Sequence, residues 1–595
     1  LWMHSSTTDT MRITGNLNVN SYIFQNQNGD VYVDRNLNID ADAALDLGSS
    51  GSLTVDSDVN QSGELDVGEG SAVFHDELNL EETSILTISG GSLICDKDYT
   101  YGLHFLLYGQ LNLSDGLFEI TNNSITIPET FNDNISGGTM RIGAEFYALR
   151  SDTFEPTAGE LELTGQGPLT NLEISYANHI YDLIINCDSG ENIHYLYDTN
   201  VLNDVKILSG TLECDYETTM FDVDLNVGGD WINEQGPTGF EPNLGTVIFS
   251  GTEDGDITTD ETFYNLTLDK SSSHYYALEL NEGITVQVLN DLNIDDGTLE
   301  MNNSSTLNIN NDLNIAADAG LNAYGDSDLN IYLGGDWNNT NNHYDSWTGF
   351  YYGNSTVTFD GHETQFINSS CAADSFYNVL INKSGGYFSP FNNITILGDL
   401  TISVGEWFDS EDFLVHTVYG DFNVIPGGGW NSTTQNTVVF AGTSDQNLSF
   451  DPTTTDGYLY DVYIDKTAAP VKNSKAKGEK FINAAKTRVS NKDRAETVTL
   501  QTDCVSLGNG NLTIETGTFN LNGHNYRCTG DVSINSGGIL ALDENASLQV
   551  GDANTLYVNS GGVLELIGSE DNEALLTHHA GYYGVNIESG ATIRA

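Results

Sequence analysis

Basic residues are scarce in this chain. Of 595 residues only 19 are Lys or Arg, against 86 Asp or Glu, for a formal charge of −67. That balance excludes a nucleic-acid partner, because neutralising phosphates needs Lys and Arg. No apolar run reaches the roughly 18 residues of a membrane span, so membrane insertion is not expected. The six cysteines show no CxxC spacing, which argues against a zinc site or a thioredoxin-like motif. GxSxG, HExxH and Walker-type signatures are missing too, and the twelve His are scattered. No charged-then-apolar leader opens the sequence. It begins at Leu1 and stops at Ala595 inside a phrase like those before it, so it reads as a piece of a longer secreted protein.

What is present is repetition. NSGGILAL from Asn535 returns as NSGGVLEL from Asn559, a spacing of 24 residues, and the words GDVSI from Gly530 and NTLYV from Asn554 keep the same interval. Within each word apolar residues alternate, as in Val532/Ile534, Leu540/Leu542, Leu548/Val550, Leu556/Val558 and Leu564/Leu566. That is the period of a strand with one buried face. Gly, Asn, Ser and Asp break the words and supply tight corners. Three short strands per turn describe one coil of an all-β, elongated parallel β-helix (a β-solenoid), with about 24 residues per coil and insertions at the corners. A right-handed coil is the expectation. A coil cannot bury its apolar side alone, so the stack is the unit of stability.

Plain coils fill residues 1–158, with GNLNV, RNLNI, GSLTV, GELDV, DELNL and GQLNL as their words. From about 159 to 528 a larger module is superimposed, with its modular repeats over 159–465 and its last word beyond the insertion. Its first word is GELELTG, GTVIFSG, STVTFDG or NTVVFAG; its second is IYDLIIN, FYNLTLD, FYNVLIN or LYDVYID. The third is NDVKILSGTLEC, NDLNIDDGTLEM, GDLTISVGEWFD or GNLTIETGTFNL, and GGDW stands between modules at Gly228 and Gly334. Residues 466–497 break the pattern, and 498–595 return to coils. The ordered series of words resembles the repeats of large parallel β-helix surface proteins of gliding, type IX-secreting bacteria. The resemblance covers roughly 370 residues specifically. It implies a secreted, surface-attached adhesin or filament whose partners are surface glycans or other cell-surface proteins, with self-association as a further expectation.

The acidic balance fits an extracellular, cell-surface setting in which salt or divalent cations relieve self-repulsion. Calcium is a candidate ligand but no cofactor is required. DVNQSGELDVGE matches a twelve-position calcium loop through Asp58, Asn60, Ser62, Glu64, Asp66 and Glu69, with Gly63 at the turn. GELDV also reads as an ordinary strand. For glycan binding, the Asn-rich interval with Trp337, Tyr344, Trp347, Phe350, Tyr351 and Tyr352 is the first choice, since exposed rings stack on sugar faces. The alternative is that these rings cap the solenoid wall. In the 466–497 insertion nine basic residues face three acidic ones, and Phe481, Ile482, Ala485 and Val489 are spaced like a helix face near 478–490. Lys475, Lys477, Lys480, Lys486 and Arg488 there are candidates for docking an acidic partner, or for lying on the chain's own acidic wall. Cys504 and Cys528, 24 apart, stack as a disulfide or as two buried thiols. Cys187 and Cys214 are a second pair.

β-Helices also house polysaccharide lyases and hydrolases, so a carbohydrate-active enzyme is the alternative function. Paired carboxylates carry no information among 86. Lys270, Lys383 and Lys466 recur at one module position, which suits architecture better than catalysis. The expectation is therefore a non-enzymatic adhesin with no catalytic residues.

Overall fold

Alternating apolar residues punctuated by turn formers make strands too short to stand alone, and the computed structural model consists almost wholly of them. Among the described residues the one helical element is the 3-10 turn Gly236–Thr238. The structure describes the chain apart from residues 1, 4–9, 22, 27, 98–103, 150–152, 166–170, 176, 188–191, 196, 215–222, 271–274, 324–328, 342–347, 370–372, 410, 432–434, 452–456, 468–495, 507–508, 570 and 579–580. It falls into two units: Leu1–Ser272 with Tyr276–Val286, and Ser273–Tyr275 with Gln287–Ala595. Each is a parallel β-solenoid.

In the first unit the early coils have three sides. Ala44–Asp46 pairs with Glu64–Gly68 on one, Asp30–Val33 with Ser52–Val55 and then Ser71–Phe74 on the next, and Leu17–Val19, Leu37–Ile39, Val59–Gln61 and Leu78–Leu80 stack on the third. In the second unit Ala373–Phe376, Asn393–Ile396, Val415–Val418, Thr437–Ala441 and Asp461–Asp465 form one such column. The ladders described are parallel, as expected when each side of a coil meets the same side of the next.

The inward residues are those that alternation marks. Val532, Ile534, Leu540, Leu542, Leu548, Val550, Leu556 and Val558 are all fully buried. Leu566 is half-buried. The step between coils differs from the uniform 24 expected. It is 22 for Asp30↔Ser52 and Leu183↔Val205 and 21 for Val379↔Leu400 and Phe519↔Leu540. It reaches 24 at Leu540↔Leu564 and 30 at Trp337↔Ile367. Strand lengths are held by the core, so corners absorb the difference. This shorter step also separates Cys504 from Cys528: Tyr526 stands opposite Cys504, and both cysteines are free and buried. Cys187 and Cys214 are buried and not joined by a disulfide.

Corners carry a second set of bonds that runs from coil to coil. Asp182 Oδ1 accepts the Asp204 N–H at 3.1 Å, Asp204 Oδ1 that of Asp230 at 3.0 Å, and Asp230 Oδ1 that of Asp256 at 2.9 Å. In the second unit the series Asp291, Asp312, Asp336 ends on the Phe366 N–H. Another runs from Asn378 through Asp399 and Asp421 to Asn447, at 2.9, 2.7 and 2.8 Å. The GD, ND and YD pairs in the repeat words are thus caps for the amide one turn further on, much as Asp and Asn cap helix N-termini. Part of the acidic surplus is therefore structural.

Asn378 performs this task without charge, which sets up a direct comparison. Asp399→Asn should leave the melting temperature of the chain unchanged or raise it slightly in low salt. Asp399→Ala, which removes the acceptor, should cost about 1 kcal/mol. Calorimetry of the two variants checks this, and equal losses would mean that charge rather than capping matters.

Candidate functional site

The three recurring lysines lie inside the coils. Lys270, Lys383 and Lys466 are 0, 1 and 2% exposed. Lys383 Nζ donates to the carbonyls of Gly361 at 3.2 Å and Glu363 at 2.8 Å and to Gln365 Oε1 at 2.6 Å. Gln365 Nε2 in turn donates to the carbonyls of Leu333 and Gly335 in an earlier coil. Lys466 and Gln446 repeat the arrangement, with Nζ on Ala441 O and Gln446 Oε1 and the amide on Val418 O and Gly420 O. Above each lysine sits a glycine of the third word. Gly405 at φ +87 would place a Cβ 2.7 Å from Lys383 Cβ, and Gly517 at φ +81 one 2.3 Å from Lys466 Cγ. Burial pushes both amines down to about 8. Lys270, at the same position, bonds Gly228 O at 3.0 Å and faces Gly255 where the others face Gln. In the first module Cys187 takes the place, its thiol on Leu163 O.

Two further polar sets are enclosed. Trp231 Nε1 and Asn233 Nδ2 donate to Glu261 Oε2 at 2.6 and 2.7 Å, and the Thr262 N–H to Oε1 at 2.8 Å. Burial outweighs these bonds and raises the Glu261 carboxyl to about 7. Trp407 Nε1 donates to Asp409 Oδ1 at 2.6 Å, and His416 Nε2 lies 3.2 Å from the same oxygen. The Ile394 N–H donates to His416 Nδ1, so the proton is on Nε2. Trp407 stacks on Trp430 at 4.7 Å. Asp409 and His416 are 0 and 1% exposed, so a substrate in solvent does not reach them.

The residues nominated from sequence fare differently. Trp337 is not a sugar platform but a core residue at 0% exposure, its ring edge-on to Phe350 at 4.8 Å and Phe376 at 5.1 Å. Alternation in Trp337–Asn339 sends the indole inward. Phe350 and Tyr351 are half-buried and Tyr352 is 7% exposed, stacked with Tyr351 at 5.9 Å. Tyr344 and Trp347 lie outside the described residues. So do Lys475, Lys477, Lys480, Lys486, Arg488 and the expected helix at 478–490.

The Asp58–Glu69 stretch is not one loop. Asn60 lies in Val59–Gln61, Glu64 and Asp66 in Glu64–Gly68 on another side of the coil, with Ser62 at the corner between them and Asp58 and Glu69 flanking the strands. Val59, Leu65 and Val67 are fully buried, and that demand for core positions holds the segment extended. Asn60 Nδ2 donates to Asn38 Oδ1, and Asp66 stands over Asp46, which with burial raises its pKa. Among the described residues no group of three or more His, Cys, Asp or Glu side chains is placed to hold a metal ion.

Outward-facing features were less visible in the sequence. The middle Asn of four strand words forms a ladder, Asn18, Asn38, Asn60 and Asn79, with amide bonds of 2.6, 2.9 and 3.2 Å. Glu145, by contrast, is buried and accepts from Ser124 Oγ at 3.0 Å, and burial together with the Glu145 charge raises the Glu173 carboxyl. Beside Leu78–Leu80 is a groove of about 690 Å³, lined among others by Asp76, Glu82, Lys97, Phe105 and Tyr108. Sequence reasoning missed it; the signal was the spacing of 26 residues from Leu78 to His104, against 19 from Val59 to Leu78. No family model, curated protein or solved structure matches the chain.

Two outcomes follow for the interior. Lys383→Met leaves the Gly361 and Glu363 carbonyls without their buried donor and should destabilise the second unit by about 1–3 kcal/mol, seen as a lower melting temperature. For Glu261 the folded chain holds a proton up to about pH 7 while the unfolded chain releases it near 4.5. The folded state thus binds more protons between these values, and stability from this group falls as pH rises through them, by up to about 3 kcal/mol. Glu261→Gln should flatten that part of the profile relative to wild type, measured as the difference in melting temperature between pH 4.5 and 7.

Proposed function

We propose that the chain is a solenoid segment of a secreted bacterial surface adhesin or filament, acting through its outer wall by binding glycans or other surface proteins. The observation that carries this reading is the division of labour in each coil. Recurrent polar residues that could do chemistry, Lys383, Lys466 and Asp409, are spent on holding the interior together. The outer faces present long polar ladders and scattered rings instead, such as Asn18 to Asn79 and the stacked pair Phe366 and Phe391 at 5.1 Å. A surface of this kind offers contact area, not a reaction centre. Among the described residues no helix is long and apolar enough to cross a membrane. Calcium is proposed only as a screening ion for the acidic wall.

A carbohydrate-active enzyme is the second reading, favoured by the Glu145 and Glu173 carboxyls beside Tyr147. Burial and the nearby Glu145 charge raise the Glu173 pKa, which is the direction a general acid needs. Incubating the full chain with neutral and acidic polysaccharides separates the two. Retention on an immobilised polysaccharide without release of reducing ends or unsaturated products is the expected result. Turnover that Glu173→Gln abolishes would replace the adhesin with the enzyme.

A further inference from the structure

Among the described residues the third side of the first unit is interrupted between Leu78–Leu80 and His104–Leu106. Leu78–Leu80 pairs with Val59–Gln61 behind it and ends a four-stranded sheet, while His104–Leu106 opens a new one with Ser124–Thr126. The groove of about 690 Å³ lies at this break. Its size falls within the roughly 300–1,000 Å³ of small-molecule sites.

We infer that this groove is a binding site for a neutral oligosaccharide. The inference rests on the surface-binding reading above and assigns that reading a place and a ligand class. Leu78, Leu80 and Ile120 are buried residues of the lining and give it an apolar base. Phe105 is half-buried, with its ring 6.3 Å from that of the core residue Phe118. It is therefore held in place before a ligand arrives, which spares the ordering cost of a loose platform. Tyr108, also half-buried, supplies a second ring. An aromatic face with polar neighbours suits a sugar ring, whose C–H face is apolar and whose rim is hydroxyl.

Charge decides which sugar. Asp76, Glu77, Glu81 and Glu82 line the groove against a single cation, Lys97, and Lys97 Nζ is already held at 3.1 Å by Asp76 and 2.7 Å by Glu77. The net negative field repels uronates and sulfated glycans, while ionised carboxylates accept strongly from hydroxyl donors. Asn79, Thr83 and Asn123 add neutral partners. A basic peptide also satisfies the charge. It would have to seat itself on the open edge of Leu78–Leu80, and three residues offer too few backbone bonds for strand addition.

The test is calorimetric titration of the full chain with neutral glucan, mannan and xylan oligomers, a uronate oligomer of the same length, and oligolysine. Two variants report the place. Phe105→Ala removes the platform, and Glu82→Trp, at an exposed turn position, fills the groove without touching the core. A neutral oligomer should bind, the uronate should not, and each variant should weaken binding by at least about tenfold. Glu82→Trp should do so with an unchanged melting temperature, which keeps the test valid if Phe105→Ala loosens the fold. Neutral-glycan binding that survives Glu82→Trp overturns the assignment, as does oligolysine being the ligand that Glu82→Trp displaces. If no oligomer binds but the chain is still retained on polysaccharide or cell surfaces, the groove assignment fails and the adhesin reading stands. Failure of retention everywhere defeats both.

Discussion

Each coil of this protein is completed by the next. The backbone ladder, the apolar interior and the corner amides all find their partners one turn further on, as when Asp399 accepts the Asp421 N–H and Asp421 that of Asn447. A buried amide without an acceptor is costly. A coil taken alone would expose its apolar side and leave its corners unpaired, so stability resides in the repetition of contacts between neighbours.

The same constraint explains the order of the module words. Gln365 after the first word, Lys383 directly after the second and Gly405 in the third look unrelated along the chain, yet successive coils place them in one internal column. The glutamine ties to carbonyls of an earlier coil, the lysine closes on the glutamine, and the glycine leaves room for the lysine stem. Gln446, Lys466 and Gly517 form a second such column. Insertions are tolerated between words, where corners swing outward, and not within them. On either side of residues 468–495 the stacking is kept, with Thr437–Ala441 paired to Asp461–Asp465 and that strand to Leu512–Asn520.

Acidity has two sources in this molecule. Some carboxylates are corner caps, some line outer faces, and at the groove beside Leu78–Leu80 four of them meet one lysine. Buried polar sets such as Glu261 with Trp231, or Asp409 with His416, belong to the interior and hold it in a single arrangement. The raised pKa of Glu261 has burial as its cause.

The sequence by itself determined the architecture. Alternation in words such as GDVSI and NTLYV dictates strands with one buried face, and their recurrence dictates stacking, because period and composition are local properties that need no knowledge of neighbours. It also marked Lys270, Lys383 and Lys466 as structural. What it left open depended on register. Trp337 and Tyr352 have the composition of a sugar platform, but the position of a residue in its strand decides whether a ring faces water, and Trp337 faces the core. Asp58 to Glu69 has the spacing of a calcium loop, but Val59, Leu65 and Val67 are claimed by the interior. Cys504 and Cys528 have the separation of one expected coil, but the step there brings Tyr526 opposite Cys504. The groove exists because two sheets stop and start at different coils, and only the stacking of distant segments in three dimensions can reveal where a column of strands is broken.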